Sequence, residues 1–67
     1  MYRQIEFEGK LVNVVERLSD NANIPFDPAN IDYQKFKKDV LEKAELQDAD
    51  GNVMPQEEAV AFINELP

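Results

Sequence analysis

The chain has 67 residues, and its fourteen acidic and seven basic residues give a formal net charge of −7. A chain this short buries roughly 60% of its unfolded surface on folding, which allows one small core and excludes a second domain. It contains no cysteine and no histidine, which excludes disulfides, thiolate metal clusters and the usual zinc sites. Because 43% of its residues are hydrophobic, more than disordered chains contain, we expect a single folded domain over residues 1–67.

Residues 2–7 and 11–18 have the pattern of a β-hairpin. In the first segment Ile5 and Phe7 alternate with polar residues, and a Glu-Gly pair after it suits a tight turn. The second segment is rich in valine, which favours strands. Its apolar residues also fit helical spacing, so a short helix over 10–19 is the alternative.

A short edge strand is predicted over 23–26, within a segment dense in turn-forming residues. Pro25 argues against a central strand because it has no N–H to donate. Ile24 and Phe26 flank this proline and should point to the same side. There they either close the edge of the core or contact a partner.

Two helices are predicted, over residues 32–45 and 55–65. Asp32 can cap the first helix, and Pro55 suits the first turn of the second. Each helix has one apolar stripe, formed by Tyr33, Phe36, Val40, Leu41 and Ala44 in the first and by Ala59, Phe62, Ile63 and Leu66 in the second. Together the elements predict an α+β fold in which the N-terminal hairpin packs on two helices.

Residues 46–57 lie between the predicted helices and resemble a calcium loop of the EF-hand family. In that family acidic side chains at the third and fifth places and a glutamate at the twelfth bind the cation. Asp48, Asp50 and Glu57 occupy these three places. Leu46 stands at the first place, where the family has an aspartate, and this lowers the expected affinity. The alternative is a tight turn that links the helices and packs its apolar residues on the core.

The composition argues against an enzyme. Ser19 is the only aliphatic hydroxyl, because the chain has no threonine, and no histidine or cysteine is present to activate a nucleophile. The core is too thin to enclose a carboxylate pair and raise one pKa for acid–base catalysis. We therefore expect a non-catalytic protein without a cofactor.

The negative charge lies in the C-terminal part of the chain. Residues 1–38 contain six acids and six bases, whereas residues 39–67 contain eight acids and only Lys43 as a base. This negative electrostatic field disfavours binding to nucleic acid or to an anionic membrane. From the short apolar runs and the charged N-terminal residues we expect no membrane-spanning or signal segment. The acids either keep the protein soluble or allow it to occupy a basic site on a host protein as an inhibitor.

Several stretches of the chain resemble segments that recur in short proteins encoded by tailed bacteriophages. These segments lie within about residues 17–67. They are residues 17–22, 24–30, 32–34, 36–39, 45–52 and 61–67. The resemblance implies a small accessory protein of virion or tail genes, a group that mostly has no assigned activity. It carries no site residues over to this chain.

The residues and the resemblance together predict a phage-encoded interaction protein, which acts as a virion or tail accessory or assembly component. It would bind a protein partner, or a second copy of itself, through an exposed apolar patch or a sheet edge. Tyr2, Ile24 and Phe26 are the predicted contact residues. The expected location is the virion or the host cytoplasm.

Overall fold

The fold is an α+β arrangement of one four-stranded sheet and two helices. The computed structural model describes residues 1–67. The elements, in chain order, are β1 (Tyr2–Phe7), β2 (Lys10–Arg17), β3 (Ala22–Pro25), α1 (Ile31–Leu41), β4 (Leu46–Gln47) and α2 (Gln56–Asn64). The strand order is β3-β2-β1-β4; β2 runs antiparallel to both its neighbours, and β4 runs parallel to β1. The predicted fold class and N-terminal hairpin are confirmed.

A two-residue turn joins β1 to β2. Phe7 pairs with Lys10, and both residues between them have positive φ angles, 52° for Glu8 and 79° for Gly9. Positive φ at both positions defines a type I′ turn, whose twist matches that of the flanking strands. Residues 10–17 are therefore a strand, and the helical alternative is wrong.

The hairpin contains a bulge in β2. Gln4 pairs with Val15, whereas Glu6 pairs with Leu11, so the single β1 residue Ile5 lies opposite three residues of β2, numbered 12–14. Extra residues on one strand bend it and increase its local twist. The residues of the bulge lie near Phe62 of α2, because they line a cavity together with it.

Both helices cover one face of the sheet, and the core lies between the helices and that face. Its buried apolar residues are Tyr2, Val15, Ile24, Tyr33, Phe36, Val40, Leu46, Ala59 and Ile63. At its centre the rings of Tyr2 and Phe36 meet edge to face, with centroids 4.9 Å apart. In β1 the alternating pair Ile5 and Phe7 lies on the opposite, open face, and Phe7 is 66% exposed.

Helix α1 begins and ends at residues other than those predicted. Asn30, not Asp32, caps its N-terminus, because the side-chain oxygen of Asn30 accepts the N–H of Tyr33 over 3.0 Å. The helix ends at Leu41 instead of residue 45, because Lys43 has a φ of 76°, which an α-helix does not allow.

Helix α2 lies within the predicted range 55–65 and follows Pro55 directly. No side chain caps its first turn, which contains the acidic residues Glu57 and Glu58. The side-chain amide nitrogen of Gln56 (Nε2) donates to the main-chain carbonyl of Val40 over 3.1 Å. This bond connects the start of α2 to the buried side of α1.

The two-residue strand β4 was not predicted. Leu46 pairs with Tyr2, and Gln47 pairs with Arg3. The chain then turns back, and the N–H of Met54 donates to the carbonyl of Leu46 over 2.8 Å. Leu46 is buried, but Val53 remains 60% exposed, so only one of these two residues packs on the core.

Candidate functional site

Two of the three predicted partner-contact residues lie inside the core. Tyr2 is 4% exposed and Ile24 is 2% exposed. The Tyr2 hydroxyl donates to a carboxylate oxygen of Asp39 over 2.7 Å, which further holds the ring against α1. The prediction that Tyr2 and Ile24 contact a partner is therefore wrong: both face the helices, which occupy the surface that a partner would need.

Phe26 is partly buried and belongs to an aromatic cluster. Its ring centroid lies 5.5 Å from that of Tyr33 and 6.2 Å from those of Phe36 and Phe62. Ile24 and Phe26 do point to the same side while Pro25 is exposed, as the sequence predicted. The pair closes the edge of the core.

The residues expected to bind calcium do not form a site. One carboxylate oxygen of Asp48 accepts the main-chain N–H groups of Asp50 and Asn52, over 2.9 and 3.0 Å. This carboxylate therefore stabilises a tight turn. Nowhere do three or more acidic side chains converge as a metal ion requires, and Glu57 is exposed on α2. The prediction of Asp48, Asp50 and Glu57 as metal ligands is wrong, because their carboxylates do not converge and that of Asp48 bonds its own turn.

The outer edge of β3 lacks one of its main-chain donors. The main-chain groups of successive residues in a strand point alternately to its two sides. The N–H of Phe26 donates to the carbonyl of Asn13 in β2 over 3.0 Å. The main-chain groups of Phe26 therefore point inward, toward β2, and those of Pro25 point outward. Since proline has no N–H, a partner strand finds no donor at this position.

The outer edge of β1 is different. The N–H of Tyr2 points outward, because it donates to the carbonyl of Glu45 over 3.0 Å. By alternation the N–H and C=O groups of Gln4 and Glu6 also point outward. The pairing at the other end of the strand is consistent with this assignment. Phe7 pairs with Lys10 of β2 across the turn, so the main-chain groups of Phe7 point inward.

Strand β4 covers only the first part of this edge. It pairs with Tyr2 and Arg3, and because Arg3 itself points inward, the outward group of β1 that lies last within its reach is the N–H of Gln4. The outward N–H and C=O of Glu6 therefore have no strand partner. We name the uncovered stretch, residues 5–7, the free edge.

A groove runs along the free edge. Its volume is about 390 Å³, and it is lined by Arg3, Gln4, Ile5, Glu6, Ala49 and Asp50. The loop after β4 thus forms one wall, and β1 itself forms the other. On the open face of the sheet, Ile5 and the exposed Phe7 supply apolar side chains beside the groove.

Ion pairs hold the sheet in place around this site. The guanidinium of Arg3 pairs with Glu16 across the hairpin. Arg17 bonds both carboxylate oxygens of Asp20, over 3.0 and 2.8 Å, and reaches Asp32 of α1 over 3.3 Å. The hydrogen bonds from Arg17 lower the pKa of the Asp20 carboxyl to about 2, and they raise the pKa of Arg17 itself. The pair between Arg17 and Asp32 connects β2 to α1, and Arg3 remains part of the groove lining.

A second concave feature lies at the end of the core, next to the bulge. This cavity of about 90 Å³ is lined by Gln4, Leu11, Val12, Asn13, Val14, Phe26, Phe62 and Leu66. Gln4 is the one polar residue among the buried ones, with 9% of its surface exposed. We name this feature the Gln4 cavity.

Comparison of the chain with protein-family models, with curated proteins and with solved structures found no match. Neither helix has the length and apolar character needed to cross a bilayer. The geometry of the chain itself is therefore the basis for a functional assignment.

The sequence predicted binding through an apolar patch or a sheet edge without identifying the edge, and the Gln4 cavity was not predicted. The free edge consists of main-chain groups, which every sequence contains, and it exists only because β4 is two residues long. The signal for the cavity was present in the sequence as Gln4, a polar residue two positions from Tyr2 on the same side of a strand.

Proposed function

We propose that this chain is a non-catalytic interaction protein that binds an extended segment of a partner protein along the free edge. The supporting observation is the unpaired outward N–H and C=O of Glu6, beyond the end of β4. An exposed row of main-chain donors and acceptors is a template for another strand. Strand addition of this kind is a recurring mode of peptide recognition.

The side chains beside the free edge would select the partner sequence. A strand added to a sheet has alternate side chains on its two faces. On the open face they would contact Ile5 and Phe7, and the latter is 66% exposed. A partner segment with apolar residues at alternate positions would therefore bury this surface on binding.

Variants at Glu6 test the proposal. Glu6→Pro removes the outward N–H without breaking a bond to β2, and the extended Ile5 before it suits proline. Panning a random decapeptide library against the wild-type protein should enrich peptides whose affinity falls about tenfold or more in Glu6→Pro.

The control is Glu6→Gln, which removes the same charge but retains the N–H, and the enriched peptides should still bind to it. Equal binding of the peptides to Glu6→Pro and wild type, or no enrichment at all, would contradict strand addition. Light scattering on both variants also shows whether a second copy of the chain is the partner, since self-association through the free edge would be lost in Glu6→Pro alone.

The partner that we propose is a component of a tailed-phage particle or another copy of this chain. The resemblance of residues 17–67 to short phage proteins supports this choice. Mass spectrometry of purified particles from a phage encoding this chain should detect it at a fixed ratio to a tail or head protein. Complete absence from the particles, with no effect of its deletion on assembly, would contradict a virion or assembly role.

A second candidate function is inhibition of a host protein through the acidic surface. Among the acids of residues 39–67, six are exposed: Glu42, Glu45, Asp50, Glu57, Glu58 and Glu65. A basic partner recovered from host lysate at low salt should be lost at high salt, because exposed charges are screened. If the partner stays bound at 1 M salt, or if Glu6→Pro no longer recovers it, binding through the free edge would be favoured instead.

A further inference from the structure

Two carboxylates beside the free edge have no ion-pair partner. Strand alternation places the side chain of Glu6 on the side of the sheet that faces the helices, where Tyr2 and Gln4 also lie. Asp50, in the loop after β4, lines the same groove as Glu6, and both residues are exposed. The ion pairs of the chain use other acids, namely Glu16, Asp20, Asp32 and Asp39. The carboxylates of Glu6 and Asp50 are therefore free.

The groove along the free edge has no base that compensates these two charges. Arg3 is the one basic residue in its lining, and the guanidinium of Arg3 pairs with Glu16 across the hairpin. Strand alternation also places Arg3 on the open face, the opposite side of β1 from Glu6. A segment that enters the groove as a strand would therefore meet two uncompensated negative charges on the helix side.

The pairing of an added strand determines which of its residues meets these charges. In parallel and antiparallel pairs alike, residues directly opposite each other have their side chains on the same face of the sheet. The partner residue opposite Glu6 would thus lie on the helix side, beside Glu6 and Asp50, whichever way the partner runs. Its two neighbours in the partner sequence would lie on the open face, beside Ile5 and Phe7.

We propose that the segment bound at the free edge has a lysine or arginine opposite Glu6 and an apolar residue on each side of it. This inference rests on the proposed strand addition and adds the class of partner sequence. The basic side chain pairs with Glu6 and Asp50, because opposite charges across a sheet attract and like charges repel. The apolar neighbours cover Ile5 and Phe7, the latter being 66% exposed.

The required pattern excludes a second copy of this chain as the partner. None of its seven basic residues has an apolar residue on both sides. Antiparallel pairing of two free edges through Glu6 would also place two glutamates opposite each other, which is unfavourable. The partner is therefore a different protein, with a basic residue between two apolar ones in an extended segment.

The test begins with the decapeptides that panning enriches on the wild-type protein, which should contain this pattern in most clones. In the most enriched peptide, replacing the central basic residue with glutamate should weaken binding to the wild type about tenfold, measured by fluorescence anisotropy at low salt. The preference should be reversed in the double variant Glu6→Lys/Asp50→Lys, which retains the N–H of residue 6. Both side chains are exposed and bond no other side chain, so the variant should fold.

The matched control is Glu42→Lys/Glu58→Lys, which changes the net charge by the same amount at two exposed residues outside the groove. It should retain the wild-type preference for the basic peptide. Enriched peptides without the pattern, or the same preference in the groove variant and the control, would overturn this inference. Strand addition itself would still be supported if those peptides lost affinity in Glu6→Pro. No enrichment, or equal binding to Glu6→Pro and wild type, would overturn both.

Discussion

At the scale of single residues, Lys43 shows how α1 is terminated without glycine. The N–H of Ala44 donates to the carbonyl of Asp39 over 2.8 Å, and the N–H of Lys43 donates to that of Val40 over 3.0 Å. These two bonds form a Schellman motif, in which the residue with positive φ is usually glycine. Lysine at this position strains the backbone, because its Cβ approaches the following carbonyl oxygen.

Lys43→Gly should therefore stabilise the protein. We expect the free energy of unfolding to rise by about 1 kcal/mol in urea denaturation, since glycine has no Cβ to strain. The control is Lys38→Gly within α1, which should lower it by about 1 kcal/mol. A loss of stability in Lys43→Gly would mean that the helix does not end in this motif.

The Tyr2 hydroxyl makes stability depend on alkaline pH. Burial, reinforced by the hydrogen bond to Asp39, raises the pKa of Tyr2 from 10.0 to about 12. The folded state holds the proton of the Tyr2 hydroxyl more tightly than the unfolded state does. The contribution of this hydroxyl to the free energy of unfolding is therefore complete below pH 10 and is lost as the pH rises through 12.

Absorbance titration of phenolate should show ionisation later than in a free tyrosine. Burial also raises the pKa of Tyr33. The fall in unfolding free energy between pH 10 and 12 should be smaller in Tyr2→Phe than in wild type. The same fall in both proteins would show that Tyr2 does not titrate in this range.

At the scale of elements, the two helices contribute unequally to the core. Phe36 of α1 is fully buried, whereas Phe62 of α2 is only partly buried and lines the Gln4 cavity. Burial of apolar surface is the main favourable contribution to folding, so the helix with the more buried residue should matter more.

Phe36→Ala should lower the free energy of unfolding by about 3–5 kcal/mol, because it leaves a closed cavity in the core. Phe62→Ala should cost less, since water already reaches part of its ring. Urea denaturation of both variants at neutral pH checks the order. Equal costs, or a larger cost at Phe62, would contradict the packing of α1 against the sheet.

At the scale of the whole molecule, the sequence predicted the elements that depend on local patterns. The valines of β2 identified a strand, and Pro25 identified an edge, because both effects act within a few residues. The sequence did not reveal β4, since two residues carry no period, or the end of α1, since Lys43 is not a recognisable stop signal. Contacts between distant residues produce both features.

The candidate site was predicted less well than the fold, for a related reason. Apolar residues were taken as contacts, yet Tyr2 and Ile24 are apolar because they form the core. Which side of β1 lacks a partner depends on where β4 ends, 45 residues later in the chain than Tyr2 (47 − 2 = 45). Only the assembled sheet distinguishes the free edge from the edge of β3, where Pro25 removes a donor.

The most direct test of strand addition is amide hydrogen exchange at Glu6, measured with and without a peptide selected against the protein. The N–H of Ile24 faces β2 and serves as the internal reference. In the free protein we expect Glu6 to exchange rapidly while Ile24 is protected, and in the complex we expect both to be protected. Protection of Glu6 in the free protein, or rapid exchange of Glu6 in the complex, would contradict the account.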